Sequence, residues 1–337
     1  MRRGSSAAGG SRRRQRGVAL IIALILVALA TILATKLTFD GFLERRRAIG
    51  VLAAEQALHF GMGAEALAAD VLAQDAQNTR QDTLAEAWAQ PTQPLPITPE
   101  DDPEGEPIGT LEGGLEDMQG RFNLNNLARV FTDAATKKVQ QDPQPLEQFQ
   151  RLLASVGVEP KWAAIARDWI DADDIPGSPD GAEDQVYTSQ TPPYRTGNWP
   201  MMSPSELMNM PGFGADRYRK IAPYVTALPT AAAKINVCTA PAVVLESLAD
   251  SLSGEYSRNP EVLANGRKIG CFPDLPTFRN IVGPKGLANV NPWIDDKTPY
   301  FRLTTRITLG TTEFTLYSLL VRQNGKVTPL LRSFGTL

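Results

Sequence analysis

Residues 18–34 read VALIIALILVALATILA, seventeen positions without a charge, and six arginines but no acid precede them. Whatever else the chain folds into, this run must be kept from water. As a helix rising ~1.5 Å per residue it covers roughly 25 Å, just short of a hydrocarbon core of ~30 Å. Thr35 and the aliphatic stem of Lys36 close most of the gap. The run therefore predicts one membrane-inserted helix at the N-terminus.

Three kinds of N-terminal helix fit such a run. A cleaved secretory signal has a basic start, ~7–15 apolar residues and a small-x-small exit. Ala28-Leu29-Ala30 offers that exit, but the apolar run continues to Ala34 and the first proline is Pro91. A permanent anchor is the second kind. The third is a basic leader cut between Gly17 and Val18, on the cytoplasmic side. That arrangement resembles the class III signal of type IV prepilins and type II secretion pseudopilins. The resemblance implies a cytoplasmic leader over 1–17 and a prepilin peptidase that cuts after Gly17 and methylates the Val18 amine. Counted from Val18, the fifth position is Ile22, where most members of that family carry glutamate. In the family this carboxylate meets the N-terminal amine of a neighbouring subunit. Left without a partner at the bilayer centre it costs on the order of 2.5–3.5 kcal/mol. A subunit with nothing above it has no amine to neutralise, which the resemblance associates with the K-type minor pseudopilin at the tip.

The formal charge of −3 hides an asymmetry, since removal of residues 1–17 takes six arginines and leaves −3 − 6 = −9. A chain so acidic is poorly suited to nucleic acid by general electrostatics. Two cysteines, Cys238 and Cys271, suit one disulfide worth ~3–4 kcal/mol if the body is exported, and are otherwise two buried thiols. A single histidine and no cysteine cluster leave zinc unsupported. There is no Gly-x-Ser-x-Gly, no phosphate loop and no paired cysteine and histidine, so no catalytic residue is assigned.

Helical spacing continues past the membrane run through Ile49, Leu52, Ala53, Phe60, Ala64, Leu67 and Val71. A single helix reaching about Gln77 is ~90 Å long. Gly41, Gly50, Gly61 and Gly63 each weaken it by about 1 kcal/mol, which predicts a bend near Gly41 or Gly50. Arg45-Arg46-Arg47 reads as a solvated face or a lipid-headgroup contact, and His59 as structural. The N-terminal helical segment is assigned to 18–90. Residues 91–114, rich in proline and acid, read as a mobile linker. Leu115–Leu127 alternates as a strand, giving a first strand region at 115–130. A helical stretch follows over 131–290, with proline-initiated helices at Pro145–Val156 and Pro160–Ile170.

The densest carboxylate group is Asp168, Asp171, Asp173, Asp174, Asp180, Glu183 and Asp184, with Gly177 and Gly181 between them. One reading is a solvated acidic loop with helix-capping aspartates. The other is a calcium site, because a hard cation takes six to eight oxygens at ~2.4 Å. The spacing is not that of an EF-hand. Ser203 and Glu206 then form a capping box, Pro211-Gly212-Phe213-Gly214 a tight turn, and Ala215–Val225 a second helix. This resembles a helix-hairpin-helix, a unit used to hold nucleic-acid phosphate or purely as a structural module. Lys234–Leu248 echoes it. In 291–337, Tyr300–Leu309, Thr312–Arg322 and Lys326–Phe334 read as three antiparallel strands, with Asn324-Gly325 a hairpin signal. Leu303, Thr305 and Ile307 fall on one face, and the amphipathic half of the long helix is its natural cover.

Helix, strand, helical insert of about 160 residues and antiparallel meander, in that order, resemble the K-type minor pseudopilins of type II secretion. The resemblance is carried by Arg16-Gly17-Val18, Ile22, Gly120-Arg-Phe-Asn-Leu-Asn-Asn126, Asp168-Trp-Ile-Asp171-Ala-Asp173, Gly181-Ala-Glu183-Asp184 and Ile235-Asn-Val-Cys-Thr-Ala-Pro241. It implies an α+β pseudopilin fold with a large inserted all-α domain of SAM or helix-hairpin-helix type. It implies structural calcium, for which Asp171, Asp173, Glu183 and Asp184 are the candidates, with Asp174 and Asp180 in reserve. It also implies a single-pass inner-membrane subunit with a periplasmic body, which joins I- and J-type minor pseudopilins at the tip of the pseudopilus. Further partners are the prepilin peptidase, the inner-membrane secretion platform and secreted substrates, with no nucleic acid. The bulk of the insert obstructs any subunit stacked above, so such a chain ends a fibre. The alternative is a membrane-anchored periplasmic DNA-uptake factor that uses the hairpin at Pro211–Gly214.

Overall fold

A computed structural model describes residues 15–99, 101–102, 104–133, 136–248, 270–271 and 291–335. Residues 1–14 of the leader, and 249–269 and 272–290 of the insert, lie outside the described residues. Helix α1 runs Gln15–Asn78 without interruption, through both Gly41 and Gly50. It stops short of residue 90, and 79–90 form turns with a short 3-10 segment at Ala87–Ala89. Packing divides the chain into two units, Met1–Leu58 and His59–Leu337.

In the first unit α1 is long and apolar enough to cross a membrane, and its large apolar side chains are exposed, Leu24 and Leu33 among them. The hydroxyls of Thr31, Thr35 and Thr38 donate to the carbonyls of Val27, Thr31 and Ala34 at 2.8 Å, so none of the three lacks an acceptor within the helix. Beyond the apolar run, the Arg46 guanidinium lies 5.2 Å from the centre of the Phe42 ring.

In the second unit the remaining turns of α1 lead to β1 (Leu95–Ile97), β2 (Gly109–Asp117), β3 (Phe122–Asn123), β4 (Val130–Thr132) and β5 (Val139–Gln141). Helices α2 (Pro143–Ser155), α3 (Trp162–Ile170), α4 (Asp184–Thr188) and α5 (Gly214–Ile221) follow, then β6 (Val225–Thr226), β7 (Ile235–Asn236) and α6 (Ala242–Ser247). The chain closes with β8 (Ile294–Asp295), β9 (Tyr300–Leu309), β10 (Thr312–Gln323) and β11 (Lys326–Phe334).

Strands β1-β2-β9-β10-β11 form one antiparallel sheet in that order. Phe301, Leu303, Thr305 and Ile307 are buried while Arg306 is exposed, the alternation of a sheet with one wet face. Ala64, Ala68 and Leu72 of α1 cover that face with Trp88, whose ring meets Phe301 edge-on at 5.2 Å. Asn324 and Gly325 both take positive φ, the geometry that a two-residue hairpin demands.

The first strand differs from the sequence expectation. The chain's first strand is β1, and the long strand expected over 115–127 is β2 at 109–117, so the stretch 91–114 read as a linker contains β1 and the start of β2. Pro96 is tolerated because β1 is an edge strand and pairs on one side only. The strand ends at Asp117 because that carboxylate accepts from the Gln119 N–H at 2.7 Å and closes a 3-10 turn. Asn123 does the same for the Asn125 N–H. Past the short β3–β6 pairing of Phe122 and Asn123, the buried side chains of Asn123, Asn125 and Asn126 hydrogen-bond the main chain of Met201, Leu228, Thr230 and Ala233.

Between β2 and β9 the chain builds a second core, which includes Phe122, Phe149, Leu152, Trp162, Tyr187 and Phe213. Phe122 and Phe149 stack at 5.1 Å. Cys238 and Cys271 are disulfide-bonded in this core, their Cα atoms 4.5 Å apart. Ser203 and Glu206 form a capping box, as expected, but the segment they open is the 3-10 turn Pro204–Asn209.

Candidate metal centre

Asp168 occupies the last turn of α3 and is 1 % exposed. Its Oδ2 accepts from the N–H groups of Gly177 and Ala182 at 2.9 and 2.8 Å, so one carboxylate oxygen folds the 172–182 loop back onto α3. A Cβ on Gly181 would collide with the Gly177 main chain and with Asp168 Oδ2, so only glycine fits this return. The loop brings Asp173 and Glu183 beside Asp171, which caps the C-terminus of α3 in an extended conformation.

One oxygen from each of Asp171, Asp173 and Glu183 lies within 4.8 Å of the other two. Glu183 is 3 % exposed and neither of its oxygens has a hydrogen-bond partner; Asp171 Oδ1 and Asp168 Oδ1 are also buried and unpartnered. Burial, then the charges of Asp168, Asp171 and Asp173, push the Glu183 carboxyl up to about 7. Burial likewise pushes Asp171 up to about 6, and Asp168 upward despite its two N–H donors. Burial also raises Tyr187, whose hydroxyl is unpartnered. The nearby cation is Arg167, whose Nε stands 4.0 Å from Asp168 Oδ1 without a hydrogen bond. Two ligands of an ion that binds oxygen at ~2.4 Å are at most ~4.8 Å apart. The all-oxygen triad, with its buried unpartnered lone pairs, thus fits a hard divalent cation.

Of the other candidates, Asp184 and Asp174 have partners elsewhere. Asp184 Oδ1 accepts from the N–H and hydroxyl of Thr196 at 3.1 and 2.9 Å, and its Oδ2 is 3.6 Å from Arg195. Asp174 accepts from Asn198 Nδ2 at 3.4 Å, and Asp180 is exposed. Two contributors escaped the sequence reading. Asp168 was one acid among seven, although its spacing of three from Asp171 on a helix placed both on one side. Gln141, whose Nε2 donates to Asp171 Oδ2 at 2.9 Å, comes from β5, and no pattern marked it.

A second acidic group, Asp75, Asp82 and Glu86, has its own cation. Arg322 Nη1 donates to Asp75 Oδ2 and the Leu72 carbonyl at 3.2 and 3.3 Å, and Nη2 to both oxygens of Asp82 and to the Thr298 carbonyl. Glu86 accepts from the Thr83 N–H and Trp88 Nε1 at 2.9 and 2.7 Å. Each carboxylate of this group thus has hydrogen-bond donors from the protein, unlike Glu183. At the hairpin of Pro211–Gly214, Gly212 and Gly214 take positive φ, yet the adjacent arginines are committed. Arg217 forks onto Glu159 at 2.7 and 2.6 Å, and Arg219 pairs with Asp216 at 2.7 Å. A phosphate there would have to displace carboxylates.

Comparison with known proteins agrees with this architecture. The family described as type II secretion system (T2SS), protein K, matches residues 120–230. A type II secretion system protein K of Pseudomonas aeruginosa is 35% identical over 335 residues, 96% of this chain and 94% of that one. Those of Pectobacterium carotovorum subsp. carotovorum and Klebsiella pneumoniae are 31% and 30% identical, each over 96% of this chain and 98% and 97% of their own. A chain in the crystal structure of the GspK–GspI–GspJ complex from the enterotoxigenic Escherichia coli type 2 secretion system superposes with a TM-score of 0.74 at 26% identity. The superposition covers 86% of this chain and all of that one.

Proposed function

The chain belongs to the type II secretion system protein K family, and from that premise we propose that it is the minor pseudopilin that ends the periplasmic pseudopilus. In this reading it assembles with I- and J-type minor pseudopilins and initiates the fibre that drives folded proteins across the outer membrane. The observation that carries the reading is similarity along nearly the whole length of the relatives, together with the superposition on a chain of the GspK–GspI–GspJ complex.

The membrane steps follow from α1. Residues 1–17 serve as a cytoplasmic leader, the prepilin peptidase cuts after Gly17, and Val18 becomes a methylated N-terminus. The helix from Val18 is the single inner-membrane span, the body is periplasmic, and the inner-membrane platform inserts the subunit into the fibre. Ile22, in place of the family's glutamate, leaves no buried carboxylate that needs a neighbour above. A bulky insert in the same chain obstructs addition of a further subunit.

Asp171, Asp173 and Glu183, with Asp168 beside them, hold a structural calcium ion in this reading. The ion supplies positive charge to carboxylates that otherwise repel one another, and so fixes the 172–183 loop. Co-expression of the full chain with its I- and J-type partners, followed by native mass spectrometry in detergent, tests the assembly. A 1:1:1 complex in which this subunit has lost residues 1–17 and gained one methyl is expected. Recovery of the chain without either partner, or with a start at Thr31, overturns the proposal.

A further inference from the structure

The hairpin made by β4 and β5 leans on the cation site. It is a small two-stranded ribbon, with Val130, Phe131 and Thr132 paired to Gln141, Gln140 and Val139. Three of its large apolar side chains are exposed: Val130 at 55%, Phe131 at 39% and Val139 at 67%. Such a ribbon has little core of its own, and an isolated two-stranded hairpin is marginal in water. Its base is closed by the Asp142 N–H on the Arg129 carbonyl at 2.9 Å. One residue inside that closure, Gln141 reaches across and donates to Asp171 Oδ2.

Asp171 thus faces two ways. Oδ2 holds the hairpin and Oδ1 is buried and unpartnered, while the same carboxylate belongs to the group with Asp173 and Glu183. A cation on that group draws the Asp171 carboxylate in and fixes the oxygen that Gln141 needs. Without one, three crowded carboxylates repel each other, and any shift of Asp171 carries the hairpin's tether with it.

We infer that occupancy of the cation site sets the order of the β4–β5 hairpin through the Gln141–Asp171 hydrogen bond, an inference that rests on the calcium reading above. The loaded site presents an ordered ribbon on which Val130 and Val139 share the face of Gln141; the empty site releases it. Local stability then changes at a segment that contributes no ligand of its own, which makes the site a conformational control as well as a brace.

Hydrogen–deuterium exchange on the full chain in detergent, in CaCl2 against EGTA, tests this with wild type and Gln141→Leu. In wild type, calcium slows exchange in both 171–183 and β4–β5, the latter by about tenfold, as loss of one charge-assisted hydrogen bond would suggest. In Gln141→Leu, calcium still protects 171–183 but no longer slows the hairpin. If calcium protects 171–183 and leaves the hairpin unchanged, or protects it equally in Gln141→Leu, the inference fails and the cation site stands. If calcium changes neither segment in wild type, both fail together.

Discussion

Arg332 on β11 grips Glu65 on α1 with two parallel hydrogen bonds, Nε to Oε1 at 2.8 Å and Nη2 to Oε2 at 2.7 Å. Glu65 is 5% exposed and also accepts from the Ser318 hydroxyl on β10. The pair fastens the last strand and the helix that covers the sheet. Removing the guanidinium strands a buried carboxylate, so Arg332→Ala should cost the second unit about 2–4 kcal/mol. Arg332→Lys should cost less, because one of two bonds survives. Urea denaturation of the three proteins gives the ranking; equal midpoints would mean the pair contributes nothing.

Asp117 should make stability fall as pH rises. It is buried where β2 ends, and accepts from the Gln119 N–H, Asn236 Nδ2 and the Thr239 hydroxyl, with no ion-pair partner among the described residues. Burial pushes its carboxyl up from 3.8 to about 6, and the hydrogen bonds from Thr239 and Gln119 offset only part of that. The folded state therefore keeps this proton to a higher pH than the unfolded chain does. Its contribution is full below pH ~4 and is lost as pH climbs through ~6. Between pH 4 and 7, wild type should lose on the order of 1–3 kcal/mol relative to Asp117→Asn. Denaturation curves across that range would contradict this if wild type gained on the variant.

Glu183→Gln should separate the two faces of the acidic loop. Without calcium the variant should melt at higher temperature than wild type, because an unpaired buried charge is gone. With calcium at about 100-fold over Kd, wild type should gain ~2.7 kcal/mol and the variant almost nothing. Scanning calorimetry in EGTA and in CaCl2 reads both. A variant less stable than wild type in EGTA would show that Glu183 has partners beyond those described.

Reduction of the Cys238–Cys271 bridge should destabilise the second core. Opening a loop of this size costs ~3–4 kcal/mol. The double variant Cys238→Ser, Cys271→Ser should unfold at lower urea than the oxidised chain and become insensitive to reductant. Equal midpoints for the oxidised chain and the variant would deny the bridge a stabilising role.

What could be read from sequence were the features with a period or a local chemistry. The 64-residue helix announces itself through hydrophobic spacing, the β9–β11 meander through alternation and Asn324-Gly325, and the capping box through Ser203 and Glu206. Two kinds of feature were hidden. In 115–127 the alternation suggests one continuous strand, but only the end of β2 and the two residues of β3 are extended, because Asp117 and Asn123 turn the backbone with their own side chains. The partners of both acidic groups come from distant segments: Gln141 is thirty residues from Asp171, and Arg322 is 240 from Asp82. The seven acids could not be told apart until the fold gave Asp184 to Thr196 and left the Glu183 carboxylate without a hydrogen-bond partner.

A terminal position in the fibre is most directly tested by locating the subunit in assembled pseudopili. An affinity-gold or fluorescent label on the body of this chain, imaged by electron or single-molecule microscopy on isolated fibres, should mark one end only, with a single copy per fibre. Labels spaced along the shaft, with other subunits continuing beyond them, would contradict it.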